Sequence, residues 1–374
     1  MRLGWLTCLF MMVVVGCKDE VILDNKNFNP RLVVDGSITN EPGPYIIKLS
    51  QTSPINQIKE VLLPGCTVTL YDNTGASEIL TEVEPGFYYS SVSGIHGIVG
   101  NSYKISILTT DGKEYTTEFQ EMKEPIEIDS VYADLTYVDL LEYPYKLPGY
   151  QFFTDTKIAS GRENYYLWRM IETYEYIAEY ELVEIINGNS TVADYQKLYR
   201  CWKTQMVNYV YTGTTANLTI PKIIHQPLHY VGTNTIKLNE RYSLLLKQYS
   251  IDSKAYIFWK NMEDQFSTEN LLFSTQPYNI IGNIKNVNND DELVLGYFTV
   301  ASVTQKRIFV DKPRVGFYFE ASCAMNFNID DLKRLPWPAY LVNTSDGRQA
   351  GVDERCVNCT SKGGVSTKPD FWVD

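Results

Sequence analysis

Histidine is nearly missing from this chain, with 3 residues in 374: His96, His225 and His229. That scarcity leaves little material for imidazole general bases or histidine-rich metal centres. His96 sits in the glycine-flanked turn Ser93-Gly94-Ile95-His96-Gly97. Pro227, between His225 and His229, breaks the helix that an i, i+4 ligand pair needs. No Gly-x-Ser-x-Gly elbow, His-Glu-x-x-His pair or phosphate-cradling glycine loop occurs. Carboxylate pairs for glycoside hydrolysis come from distant positions, and the 45 Asp and Glu residues mark no pair above the rest. Lys and Arg, 33 in all, form no cluster, so a net charge of −12 offers nucleic acid or anionic lipid no basic face. Beyond the N-terminus no apolar run approaches the roughly 20 residues of a spanning helix. Catalysis, a cofactor and a metal are therefore without positive support.

What is present begins at the N-terminus. Arg2 precedes the apolar run Leu3 to Val15, and Val14-Val15-Gly16-Cys17 closes it. Two aliphatic residues and a glycine before a cysteine make a bacterial lipobox: small residues admit the peptidase, and the thiol carries the diacylglycerol. Residues 1–16 are thus expected to be a removed signal peptide, Cys17 the lipidated residue, and 17–30 a tether. Lys18-Asp19-Glu20 resembles the export tag that sends lipoproteins of the Bacteroidota to the cell surface. The expectation is a body held at the outer membrane by the lipid on Cys17 and facing the exterior.

Of 7 cysteines, Cys66 falls in an alternating apolar stretch and reads as a small core residue. Cys201, Cys323, Cys356 and Cys359 remain as disulfide candidates with three possible connectivities. Pairing one cysteine of Cys356-x2-Cys359 with Cys201 and the other with Cys323 would staple the tail to the rest. A zinc site lacks a second closely spaced Cys/His pair.

From 31 to 121 the chain alternates in short segments punctuated by turns, with Thr110-Asp111-Gly112-Lys113 the strongest hairpin signal. This predicts an immunoglobulin-like or transthyretin-like β-sandwich. Met122-Lys123-Glu124-Pro125 marks a junction, and 126–374 reads as a larger β-rich domain with one short helix and a cysteine-stapled tail. Residues 163–184 hold many Glu, but β-branched and aromatic residues on both parities favour strand. Leu293 to Val310 and Pro313 to Ala321 suggest a hairpin turning at Asp311-Lys312-Pro313. Lys254 to Phe266, capped by Asp252 or Ser253, has helical spacing of Ala255, Phe258, Trp259, Met262 and Phe266. The run 286–292 (Asn-Val-Asn-Asn-Asp-Asp-Glu) lacks calcium-loop register and reads as a solvated loop. The 28 tyrosines and the tryptophans are expected mostly on half-buried sheet faces. Trp337 and Tyr340, in a Pro-bracketed loop, are a candidate contact patch.

The chain is similar over nearly its whole length to a family of uncharacterised Bacteroidota outer-membrane lipoproteins, a domain-of-unknown-function family. The resemblance rests on Leu32-Val33-Val34-Asp35-Gly36 with Ile38, Pro42-Gly43-Pro44, Leu49-Ser50, Cys201-Trp202, Gly282-Asn283-Ile284, and Leu295-Gly296-Tyr297-Phe298 before Arg307. It closes on Cys356-x2-Cys359, Gly363-Gly364 and Lys368-Pro369-Asp370-Phe371-Trp372. Cys66 departs from the small residue expected there. Such proteins are typically encoded beside TonB-dependent receptors. The resemblance implies a non-catalytic accessory that captures ligand or gates entry for such a transporter, and it supplies no catalytic or binding residues. A structural or adhesive surface module is the alternative, and a surface hydrolase is a third.

Overall fold

The computed structural model describes residues 28–54, 59–139, 143–188, 190–268, 280–317, 319 and 323–373. Cys17, Lys18, Asp19 and Glu20 lie outside the described residues.

The first segment forms β1 (Leu32–Thr39), β2 (Ile46–Gln51), β3 (Val61–Leu62), β4 (Thr67–Asp72) and β5 (Ser77–Ile79). It continues with β6 (Thr81–Glu84), β7 (Phe87–Tyr89), β8 (Ser102–Leu108), β9 (Glu114–Thr117) and β10 (Gln120–Glu121). Strands β1-β2-β7-β6 lie side by side in one sheet and β9-β8-β4-β5 in another. That is the A-B-E-D and G-F-C-C′ order of an immunoglobulin-type sandwich. The expected turn sits between β8 and β9, with Gly112 at φ 82°. Period-2 alternation buries Val34, Ile47 and Leu49 against Val68, Leu70, Ile105 and Ile107.

The chain then builds β11 (Ile128–Val138), β12 (Leu147–Thr156), β13 (Tyr165–Ile177), β14 (Leu182–Ile186) and α1 (Val192–Gln196). β15 (Arg200–Met206), β16 (Tyr211–Thr214), β17 (Gln226–Gly232), β18 (Arg241–Ile251) and α2 (Ser253–Thr268) follow. The Glu-containing stretch is strand, as its β-branched and aromatic content predicts. The alternate residues Tyr166, Trp168, Met170, Tyr174 and Tyr176 of β13 face a core shared with Phe152, Leu228 and Val231 of the β11-β12-β17 sheet. Helix α2 begins where Asp252 Oδ1 accepts the Ala255 N–H at 2.7 Å. Ala255, Phe258 and Trp259 pack on Leu167, Tyr297 and Ala301.

The remaining elements are β19 (Ile284–Asn286), β20 (Leu295–Asp311), α3 (Ile329–Leu332), β21 (Ala339–Asn343) and β22 (Gln349–Val352). Here the structure departs from the sequence reading. No hairpin turns at Asp311-Lys312-Pro313, and the described residues of 313–321 form no strand. Instead β20 runs 17 residues and has different partners along its length. Val33 to Thr39 of β1 pair in parallel with Leu295 to Ala301. Ser302 to Asp311 pair antiparallel with β18. One sheet, in the order β15-β13-β18-β20-β1-β2-β7-β6, therefore passes through both sandwiches. Strand β19 pairs with β9 at the edge of the other first-sandwich sheet. The sandwich begun at 31–121 is thus completed by strands from beyond 280, and the junction at 122–125 does not separate the two sheet systems.

Candidate functional site

Short sequence motifs that carry a resemblance are natural places to look for a site, and several of them meet in space. Asn283 lies just before β19, and its side chain acts as an extra rung on β20. Its Nδ2 donates to the Phe298 carbonyl at 2.8 Å, and its Oδ1 accepts the Phe298 N–H at 3.0 Å. Gly296 has φ 85°, a conformation that favours glycine, and a Cβ on Gly282 would collide with the Gly296 carbonyl. Gly282-Asn283 and Leu295-Gly296-Tyr297-Phe298 therefore close one side of the first sandwich.

A second set seats the tail. Cys201 is bonded to Cys359, and Cys323 to Cys356. Both cysteines of the C-terminal motif are thus used, one on β15 and one within the tail. Tyr176 OH donates to the Cys359 carbonyl at 2.8 Å, and Trp202 and Val365 exchange backbone hydrogen bonds at 2.8 Å. Trp372 meets Phe309 edge-on at 5.4 Å, and the Arg307 guanidinium stands 3.6 Å from the centre of the Phe371 ring. These motif residues hold the architecture together.

Trp168, Trp202, Trp259 and Trp372 are buried, while Trp337 is 59% exposed. Tyr340 sits on β21, stacked obliquely on Tyr195 with ring centroids 5.3 Å apart and hydroxyls 3.1 Å apart. Trp337 is therefore open to solvent, and Tyr340 is engaged within the fold. Cys66 is buried and unbonded, its N–H donating to Tyr88 OH at 2.9 Å. In the 286–292 loop Glu292 accepts from Lys113, Tyr115 and Asn286. His225 stacks on Phe153 at 3.9 Å.

One charged centre escaped the motif search. Glu172 shares the core face of β13, with its side chain 2% exposed. Its carboxylate accepts from Lys237 Nζ at 2.6 Å, Gln205 Nε2 at 2.6 Å and Tyr242 OH at 2.9 Å. His229 Nε2 stands 3.8 Å away, beyond hydrogen-bond distance. Burial pushes the carboxyl pKa up, but the His229, Lys237 and Gln205 side chains outweigh it and hold Glu172 at about 2. Burial and this carboxylate together push Tyr242 well above the ordinary tyrosine value. These partners come from β15, β17, β18 and the turn at Ile236–Leu238, so the cluster gathers four segments around β13.

One opening lies at the seam of the two sandwiches. The linker 121–127, the loop 157–165 and the turn 250–253 enclose a cleft of about 830 Å³. Glu121, Glu124, Glu127, Glu163 and Asp252 line it with only Lys123 and Lys157 opposing them. A second cleft of about 430 Å³ shares Asp252 and Ser253 with it. Phe119, Ile257 and Ile281 give the second cleft an exposed apolar rim, and Lys254 bridges to Glu118 at 2.8 Å. Both volumes fall in the range of small-ligand sites. Only the Pro125 junction hinted at the seam in sequence.

Fold and surface together define a mainly β, double-sandwich protein with open clefts at its seam. The chain belongs to the family described as Domain of unknown function (DUF4249), whose model matches residues 18–307. No curated protein matches the chain.

Proposed function

We propose that this is a Bacteroidota outer-membrane lipoprotein, lipidated at Cys17 and displayed on the cell surface, that serves a TonB-dependent receptor as a non-catalytic accessory in ligand capture or gating. The observation that carries the reading is Val14-Val15-Gly16-Cys17 followed directly by Lys18-Asp19-Glu20. A lipid at Cys17 would place the body on a tether, since β1 starts at Leu32. A seam cleft of about 830 Å³ gives such a body room for a small ligand beside the receptor. Metabolic labelling with a clickable fatty acid tests the anchor. Wild-type protein is expected to take up label and sediment with outer membranes, and Cys17→Ala to do neither. Equal labelling of the two forms would refute lipidation at Cys17. An adhesive role is the second reading, favoured by the solvent-exposed Trp337.

A further inference from the structure

Among the described residues, the face of the continuous sheet opposite its core meets helix α2 and the tail. Opposite residues in antiparallel strands share a face, so the pairing registers draw it row by row. Arg169, Lys247 and Gln305 form one row, and Met206, Ile171, Leu245 and Arg307 the next. Helix α2 borders this floor through Trp259, and the tail borders it through Phe371 and Trp372. Gln305 and Met206 on the floor itself are exposed.

Three cations in two rows are out of character for a chain of net charge −12. Lys247 is answered by Glu41, which accepts from its Nζ at 2.8 and 2.9 Å. The arginines are not answered in this way. Arg169 lies 4.7 Å from the Trp259 ring centre, and Arg307 lies over Phe371 with one donor engaged by Ser243 Oγ at 2.9 Å. Among the described residues neither arginine has a carboxylate within ion-pair distance. Arg307 is half-buried, and that burial works against its charge. A guanidinium beside an aromatic ring and without a carboxylate partner keeps N–H donors free for an oxyanion. A pocket of about 200 Å³, lined by Met206, Asn208 and Tyr209, opens beside Arg169. The arginine Cα atoms are roughly 12 Å apart, from about 4.8 Å per strand and 3.4 Å per residue. Both side chains are long enough to meet one ligand over Lys247, Arg169 swinging off Trp259 and Arg307 off Phe371 to do so.

We propose that this sheet face is a binding site for a ligand bearing two oxyanion groups, with Arg169 and Arg307 each forking one of them. The site is separate from the seam cleft and does not rest on the accessory reading. Calorimetric titration of the folded protein with pyrophosphate and with citrate, at low ionic strength and with acetate as the monovalent comparison, tests it. Saturable binding of pyrophosphate, citrate or both is expected, tighter than acetate. Pyrophosphate alone would assign a phosphate ligand, and citrate alone a carboxylate ligand. Arg169→Gln and Arg307→Gln are each expected to weaken it about tenfold or more, the scale of one lost charge-assisted hydrogen bond. Arg348→Gln removes an arginine stacked on Phe327 in the tail and should leave binding unchanged. Arg307→Lys keeps a cation near Phe371 should the glutamine variant fail to fold, and it should still lose the preference for divalent anions. Absence of saturable binding of both probes, or wild-type affinity in Arg169→Gln, would overturn the assignment.

Discussion

Glu172 would be costly in an apolar sandwich if it stood alone, since a buried carboxylate without partners is strongly disfavoured. With Lys237, Gln205 and Tyr242 bonded to it, the charged form is the favoured one, and its pKa lies at about 2 against an ordinary 4.5. A carboxyl whose folded pKa is depressed contributes stability above its unfolded value and loses it as pH falls towards the folded one. Denaturant unfolding between pH 5 and pH 2 is therefore expected to show a decline attributable to this residue on the order of 3 kcal/mol. In Glu172→Gln that portion of the pH dependence should vanish and the protein should be less stable at pH 7. Superimposable pH profiles would contradict it. Apolar residues stand on both parities of 163–184, so alternation alone does not mark Glu172 as a core residue in the sequence. Its partners stand 33 to 70 residues away, and no local pattern points to them.

At the scale of elements, strand content was legible and strand partnership was not. The apolar run from Leu293 to Val310 plainly reads as β. A strand's neighbours are chosen by long-range pairing, and here the two halves of β20 answer to β1 and β18 respectively. The expected hairpin with Pro313 to Ala321 was the local solution, and the non-local one prevailed. Helix α2 was legible because its cap and its 3.6-residue stripe are local. Asn283 shows the cost of the non-local arrangement, since its side chain must serve both Phe298 backbone groups. Asn283→Ala is expected to destabilise the protein by about 1–3 kcal/mol, as buried backbone groups lose their partner. A melting temperature unchanged from wild type would show that the clamp contributes nothing.

Across the whole molecule, alternation and turns pointed to a first sandwich of immunoglobulin-like or transthyretin-like type, and the strand order came with the structure. The clefts were not legible in the sequence, because their walls come from the linker, the β12–β13 loop and the β18–α2 turn, three segments far apart in the chain. The central claim is that a lipid-anchored body works beside a TonB-dependent receptor. Its most direct test is purification of the tagged protein from gently solubilised outer membranes, followed by mass spectrometry. The account predicts a TonB-dependent receptor at near-stoichiometric yield, lost when Cys17→Ala keeps the protein from the membrane. Recovery of the tagged protein with no barrel partner would contradict it.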